Sequence, residues 1–146
     1  MRDGRHEKTK EDESVCNVKS TLKTIYETQN KAKLPIFQGI LQETIPFILY
    51  SSATSEPYFT FGTTQTSQSP FRTCFFRVED LIDSVVSLSL LRPIDIEGNC
   101  LDTIHIPYRL EKTNIKVIVS IQEFSSIQCI SPKLIDRKSI IVGQKW

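Results

Sequence analysis

The chain has 146 residues, of which 39% are hydrophobic and 24% are charged, and its formal net charge is +1. This length suits one domain with a substantial core, and the near-neutral charge argues against a nucleic-acid binder, which needs clustered lysines and arginines. No apolar run approaches the roughly 20 residues that span a bilayer. Residues 1–13 lack the apolar segment of a secretory signal, so we expect synthesis in a cytoplasm.

The N-terminal part is predicted to be a tail followed by one helix. Residues 1–14 carry charges of both signs and almost no apolar side chains, which is typical of a disordered tail. Within residues 17–33, apolar side chains recur at the helical period at Val18, Leu22, Ile25 and Tyr26. Pro35 ends this helix. The helix is expected to lie across a sheet or its edge, or alternatively to dock a partner, and residues 15–146 are taken as a single β domain.

The remainder alternates short β-branched and aromatic runs with turn signals, which favours a mainly β fold, an antiparallel β-sandwich of about seven strands. The predicted strands are residues 47–51, 57–62, 71–79, 85–95, 104–112, 115–122 and 126–130, with 140–142 as a candidate edge strand.

Four connections between these strands have recognisable turn chemistry. The first two strands are predicted to form a hairpin with a longer loop. Residues 80–84 are predicted to form a turn or a single helical turn, and Glu97-Gly98-Asn99 a turn that uses positive φ. Thr113 and Asn114 are predicted to be the two-residue loop of another hairpin. Residues 63–70 are predicted to be a surface loop, which either connects strands or binds a ligand.

An aromatic, a basic, an aliphatic and an acidic residue follow one another twice. The two motifs are Phe76-Arg77-Val78-Glu79 and Tyr108-Arg109-Leu110-Glu111. The two-residue period of a strand places the apolar members on one face and the charged members on the other. We therefore expect the apolar members, with Val117 and Val119, to face the core. The charged members could form cross-strand ion pairs, worth about 0.2–1 kcal/mol each when exposed. The repeat suggests two similar hairpins, one in each sheet.

The four cysteines are widely spaced and none forms a C-x-x-C pair, so no metal or cofactor site is predicted. Cys74 and Cys129 lie in predicted strands and are interpreted as small core residues. Cys16 and Cys100 have more polar neighbours and are candidates for a disulfide between subunits in an oxidising exterior.

The sequence contains none of the common catalytic motifs. The sequence has no phosphate-binding glycine loop, no G-x-S-x-G and no H-E-x-x-H. The one catalytic pair that could be assembled is Cys100 or Cys129 with His105, and it would need a third, orienting group. No enzyme is predicted.

The second motif also carries a resemblance to a known family. It continues as Tyr108-Arg109-Leu110-Glu111-Lys112-Thr113-Asn114, and with residues 115–137 it resembles the C-terminal half of the spore coat protein CotY/CotZ and exosporium protein ExsY family. Residues 44–50, 75–79 and 87–91 resemble the same family in the same order. The resemblance implies a structural protein of the outer layers of a bacterial endospore, made in the mother-cell cytoplasm and deposited on the coat or exosporium. It further implies assembly with itself or with other coat proteins.

The cysteine pattern departs from the family that the chain resembles. Members are cysteine-rich, with a C-x-C near the start, a C-P-x-x-C after the first helix and a cluster near the end. Here the first segment has only Cys16, residues 33–37 stand where the second pair would be, and only Cys129 matches the final cluster. The chain is interpreted as a divergent, cysteine-poor member. The alternative function is a soluble β-sandwich adaptor or a carbohydrate-type binding module.

Overall fold

A five-stranded antiparallel sheet forms the centre of the computed structural model, which describes residues 10–63, 70–135 and 137. The elements are α1 (Lys10–Ala32), β1 (Phe47–Ser51), β2 (Thr60–Thr63), β3 (Pro70–Thr73), β4 (Phe75–Ile82), β5 (Val85–Ile94), β6 (Arg109–Ser120) and β7 (Phe124–Cys129). The large sheet has the order β6-β5-β4-β1-β7, and β2 and β3 form a second, two-stranded sheet. The predicted class is therefore confirmed: mainly β, antiparallel, with seven strands and one N-terminal helix.

Helix α1 covers one face of the large sheet. Val18, Leu22 and Ile25 are buried, as their spacing predicted, and join a core cluster with side chains from β1, β4 and β5. The helix begins earlier than predicted, at Lys10. It therefore includes residues 10–14 of the predicted tail, whose first nine residues lie outside the described part. No helix among the described residues is long and apolar enough to cross a membrane.

One buried polar side chain fixes this helix to the sheet. Gln29 is 2% exposed. Its Nε2 donates to the Val78 carbonyl at 2.9 Å, and its Oε1 accepts from the Ile45 backbone N–H at 3.1 Å. Buried backbone groups need hydrogen-bond partners. Gln29 provides a donor to a carbonyl of β4 and an acceptor to an N–H of the segment that enters β1, and so links the helix to both.

The two-stranded sheet lies beside the helix on the same face. Phe71 of β3 belongs to the same core cluster as the helix residues. In β2, a Cβ added to Gly62 would lie 2.9 Å from Leu90 Cδ2 and 3.0 Å from Ile115 Cδ1. A larger residue at this position would therefore have to displace these side chains, which the close approach of β2 to the large sheet disfavours. The opposite face carries a second buried cluster, formed by Ile48, Cys74, Phe75, Leu91, Leu110, Ile130 and Leu134.

Strand β6 is continuous, so the hairpin predicted at Thr113 and Asn114 is wrong. Ser89 pairs with Lys116 and Leu91 with Lys112, so the three residues between those lysines lie opposite the single residue Leu90. This is a bulge in β6. The Thr113 hydroxyl donates to the Leu90 carbonyl at 2.7 Å and accepts from the Ile115 N–H at 3.2 Å. The hydroxyl thus binds both strands where the ladder is interrupted, and the chain continues in the same direction.

Three further predictions need correction. Predicted strand 71–79 is two strands, β3 and β4, separated at Cys74 and placed in different sheets. The expected hairpin of the first two strands is reduced to a single bridge between Tyr50 and Pro57, because β1 pairs with β4 and β7. Both Arg–Glu motifs lie in the large sheet, not one in each sheet. The candidate strand 140–142 and residues 64–69 of the predicted loop lie outside the described residues.

The predicted turn before residue 100 is confirmed. Gly98 has φ +92, a conformation that glycine adopts without steric cost. One carboxylate oxygen of Asp95 accepts from the backbone N–H groups of Glu97 and Asn99, at 2.9 and 2.8 Å.

Replacing Gln29 by leucine should destabilise the protein by about 1–3 kcal/mol, because the Ile45 N–H loses its partner and the Val78 carbonyl loses its 2.9 Å hydrogen bond while keeping the one of 3.3 Å from Arg77 Nη1. Urea unfolding followed by circular dichroism measures the change. Gln42→Leu, at an exposed position, is the matched control and should stay within about 0.5 kcal/mol of the parent. Equal changes in the two variants would show that Gln29 does not hold the helix to the sheet.

Candidate functional site

The first Arg–Glu motif anchors the segment that leads into β1. Phe76 and Val78 are buried beneath the helix, and Arg77 and Glu79 lie on the other face, as the alternation predicted. The Arg77 guanidinium donates through Nε to Thr44 Oγ1 at 2.9 Å and through Nη2 to the carbonyl of residue 43 at 3.0 Å. Through Nη1 it donates to Glu79 Oε1 at 2.7 Å. One side chain thus ties the β1 entry segment to β4.

The ionisation of Glu79 supports a structural role for this pair. Burial raises the pKa of its carboxyl, but hydrogen bonds from Ser89 and Arg77 and the positive charges of Arg77 and Lys116 outweigh it, so the pKa lies below its ordinary value. A carboxylate with a depressed pKa is poorly matched to proton transfer near neutral pH. Glu79 is therefore suited to holding Arg77 in place.

The second motif holds β6 against β5. Leu110 is fully buried in the second cluster. Glu111 lies on the other face, where its carboxylate is 3.6 Å from Arg109 Nη1 and 3.5 Å from Arg92 Nη1. The cross-strand partner of Glu111 is therefore Arg92, which belongs to neither motif. The predicted cross-strand ion pair thus forms at Glu111, whereas Arg77 and Arg109 each pair with the glutamate two positions along their own strand.

Arg137, the last residue that the structure describes, packs beside the start of β6. The guanidinium of Arg137 lies 3.9 Å from the centre of the Tyr108 ring, which is a cation–π distance. Beside it, Nε of Arg109 is buried and has no hydrogen-bond partner within the described part of the chain. Lys112, Thr113 and Asn114, which complete the second motif, lie at and beside the bulge, with Lys112 and Asn114 exposed.

Cys100 lies on an exposed surface with apolar neighbours. Its backbone forms an isolated antiparallel β-bridge with Ile94 at the end of β5. Cys100 also borders a shallow depression of about 300 Å³ that Phe61 and Leu101 line. Phe61 is 71% exposed. An ion pair of 2.8 Å between Arg72 and Asp102 forms the polar side of this depression. The surface combines a free thiol with exposed apolar area, as a contact between subunits would need.

The other cysteines are placed differently. Cys74 is buried, as predicted, and burial raises the pKa of its thiol to about 11. Cys129 is exposed, so its predicted place in the core is wrong. It lies at the end of β7, one of the two edge strands of the large sheet, where partial desolvation still raises its pKa. Cys16 lies in α1, and its side chain is outside the described set.

Among the described residues no three histidine, cysteine or acidic side chains are grouped so as to hold a metal ion. His105 is exposed in the segment before β6, where its backbone N–H donates to Thr103 Oγ1 at 2.9 Å. A polar groove of about 490 Å³ lies between residues 38–44, Lys112 and Ile135. The described residues therefore offer ion pairs, hydrogen bonds and exposed thiols.

Alkylation of the folded protein at mildly alkaline pH should modify the cysteines in a fixed order. Cys100 should react first because it is exposed, Cys129 more slowly because its raised pKa leaves less thiolate, and Cys74 only after unfolding. Mass spectrometry of tryptic peptides measures each rate, and the protein in denaturant is the control. Rapid modification of Cys74 without denaturant would contradict the placement of this residue in the core.

Comparison with known proteins relates most of the chain to one family. The family model described as Spore coat protein Z matches residues 5–132. The chain is also 35% identical over 135 residues to Spore coat protein Z of Bacillus subtilis (strain 168), an alignment that covers 86% of this chain and 90% of that protein. No solved structure matches. Both Arg–Glu motifs lie inside the segment that the family model matches.

Proposed function

The chain belongs to the spore coat protein Z family, and from this premise we propose that it is a structural protein of the coat or exosporium of a bacterial endospore. In this proposal it assembles with itself or docks onto cysteine-rich relatives. The observation that carries the proposal is the family match over residues 5–132, because it includes the helix, the whole five-stranded sheet and both motifs.

The surface of the domain supports a building role. Several large apolar side chains are more than half exposed although the core is well filled: Ile36, Ile40, Phe61, Ile82, Ile104, Ile106 and Ile118. Exposed apolar area of this kind is what non-covalent contacts between coat subunits would bury. The ion pairs and hydrogen bonds of the two motifs keep the sheet rigid, so the contact surfaces would be held in fixed positions.

The cysteines support a two-stage assembly. We place synthesis in the mother-cell cytoplasm, where thiols stay reduced, so the first contacts would have to be non-covalent. Cys100 is exposed beside Phe61 and would be oxidised only after subunits had met and the cell had lysed. Cys16 is the second candidate for such a link. Disulfides would then make existing contacts harder to break.

Replacing both candidate cysteines, Cys16→Ser and Cys100→Ser, should leave oligomers intact but lower the denaturant concentration at which they dissociate. Electron microscopy and sedimentation velocity measure assembly in the parent and the variant. The control is the parent in reducing buffer, which should dissociate at the same concentration as the variant. Loss of all oligomers in the variant, with the fold intact by circular dichroism, would assign assembly to the cysteines. A parent that stays monomeric at high concentration would contradict self-assembly.

A further inference from the structure

The outer edge of β6 is long and has no strand partner within residues 10–63 and 70–135. The large sheet ends at β6, and no described strand pairs with its outer side. The strand has 12 residues. Such an edge presents a row of backbone N–H and C=O groups that can pair with another strand.

The bulge divides this edge into two unequal parts. The part before Lys116 contains exposed Lys112 and the irregular residues 113–115. Lysines and bulges are both features that discourage pairing at a sheet edge. The part from Lys116 to Ser120 keeps an unbroken register with β5 and can therefore extend the ladder.

The side chains of the regular part favour contact with an apolar partner. Ile118 is 74% exposed. Nearby on the same face, Ile82 and Val85 are 64% and 43% exposed, and together with Lys116 and Asp80 they line a depression of about 540 Å³. On the other face, Val117 and Val119 are half-buried against the core.

We propose that residues 116–120 of β6 pair antiparallel with the same segment of a second copy, about a two-fold axis at Ile118. The proposal rests on the self-assembly proposed above and names its first contact. In this register Ile118 lies opposite Ile118 of the partner subunit, Val117 opposite Val119 of the partner subunit, and Lys116 opposite Ser120 of the partner subunit. Side chains paired across strands are then apolar with apolar and charged with neutral, which is favourable.

Charge disfavours two alternative registers, and the length of the regular part favours the axis at Ile118. A two-fold axis at Asn114 would place Lys112 opposite Lys116 of the partner subunit twice, and an axis at Lys116 would place two lysines directly opposite each other. Like charges in directly opposed positions are destabilising. An axis at Ile118 is the centre of the five-residue segment 116–120, so it pairs the whole regular part and leaves the bulge outside.

This contact would join two large sheets into one and would leave Cys100 free. A two-fold contact closes at two copies, so larger assemblies need a second surface. Cys100 forms its backbone β-bridge with Ile94, at the C-terminal end of β5. The proposed contact lies at the other end of β5, where Val85 pairs with Ser120 of β6. The depression beside Cys100 therefore lies away from the proposed two-fold axis and is open to a further contact.

The decisive variant is Ile118→Lys, which would place two lysines opposite each other at the axis. Sedimentation velocity of the full chain in reducing buffer should show self-association of the parent and a dissociation constant raised by about tenfold or more, the effect of roughly 1.4 kcal/mol. The matched control is Gln42→Lys, which adds the same charge at an exposed polar position outside the apolar residues assigned to subunit contacts, and it should associate like the parent. Circular dichroism checks that both variants are folded.

A second experiment tests the register itself. In a variant with Cys16, Cys100 and Cys129 replaced by serine, Ile118→Cys should form a disulfide-linked dimer on mild oxidation, with the linked peptides joined at position 118. Asn114→Cys in the same background should form about tenfold less, because its counterpart in the partner lies several residues away, beyond disulfide reach.

The outcomes separate this inference from the proposed function. If the parent assembles and Ile118→Lys assembles equally well, pairing through β6 is overturned and self-assembly stands. Equal cross-linking at positions 114 and 118 overturns the register. If the full chain stays monomeric but a variant that lacks residues 138–146 dimerises, the C-terminal segment blocks this contact in the full chain, which overturns the proposal. A parent that is monomeric throughout overturns self-assembly and this contact together.

Discussion

Burial of α1 against one face of the five-stranded sheet is the interaction on which the rest of the structure depends. The side chains of Val18, Leu22 and Ile25 are buried. Burial of each stabilises the fold by about 1.5–3 kcal/mol of transfer free energy. Their packing with Phe76 and Val78 decides which face of β4 lies against the helix. Arg77 and Glu79 must then occupy the other face, where they hold the segment that enters β1.

Strand β5 is the second constraint, because it lies between the two strands that carry the motifs. Its successive carbonyls at Leu90 and Leu91 accept from the hydroxyls of Thr113 and Thr73, at 2.7 and 2.6 Å. These are the points where β6 bulges and where the chain passes from β3 to β4. Threonine hydroxyls thus satisfy backbone groups that an irregular ladder leaves open, and both irregularities can exist without buried unpaired carbonyls there.

The sequence predicted what depends on local periodicity and missed what depends on distant partners. The buried face of α1, the exact limits of β1 and the turn at Gly98 follow from residue spacing and backbone preference. Thr113 and Asn114 signalled an irregularity correctly, but turn residues cannot distinguish a loop from a bulge, since that depends on whether Leu90 faces them. The exposure of Cys129 depends likewise on β7 being an edge strand, which no local pattern reveals.

The chain is a member of the spore coat protein Z family in which Cys74, Cys100 and Cys129 are free thiols, and we propose that it assembles first through non-covalent contacts. Hydrogen exchange of the assembled and the dissociated protein, both in reducing buffer, tests this account most directly. The account predicts that assembly adds protection at the backbone amides of residues 117–120 while the amides of α1 are unchanged. Assemblies that show no added protection in that segment, or that form only when thiols are oxidised, would contradict it.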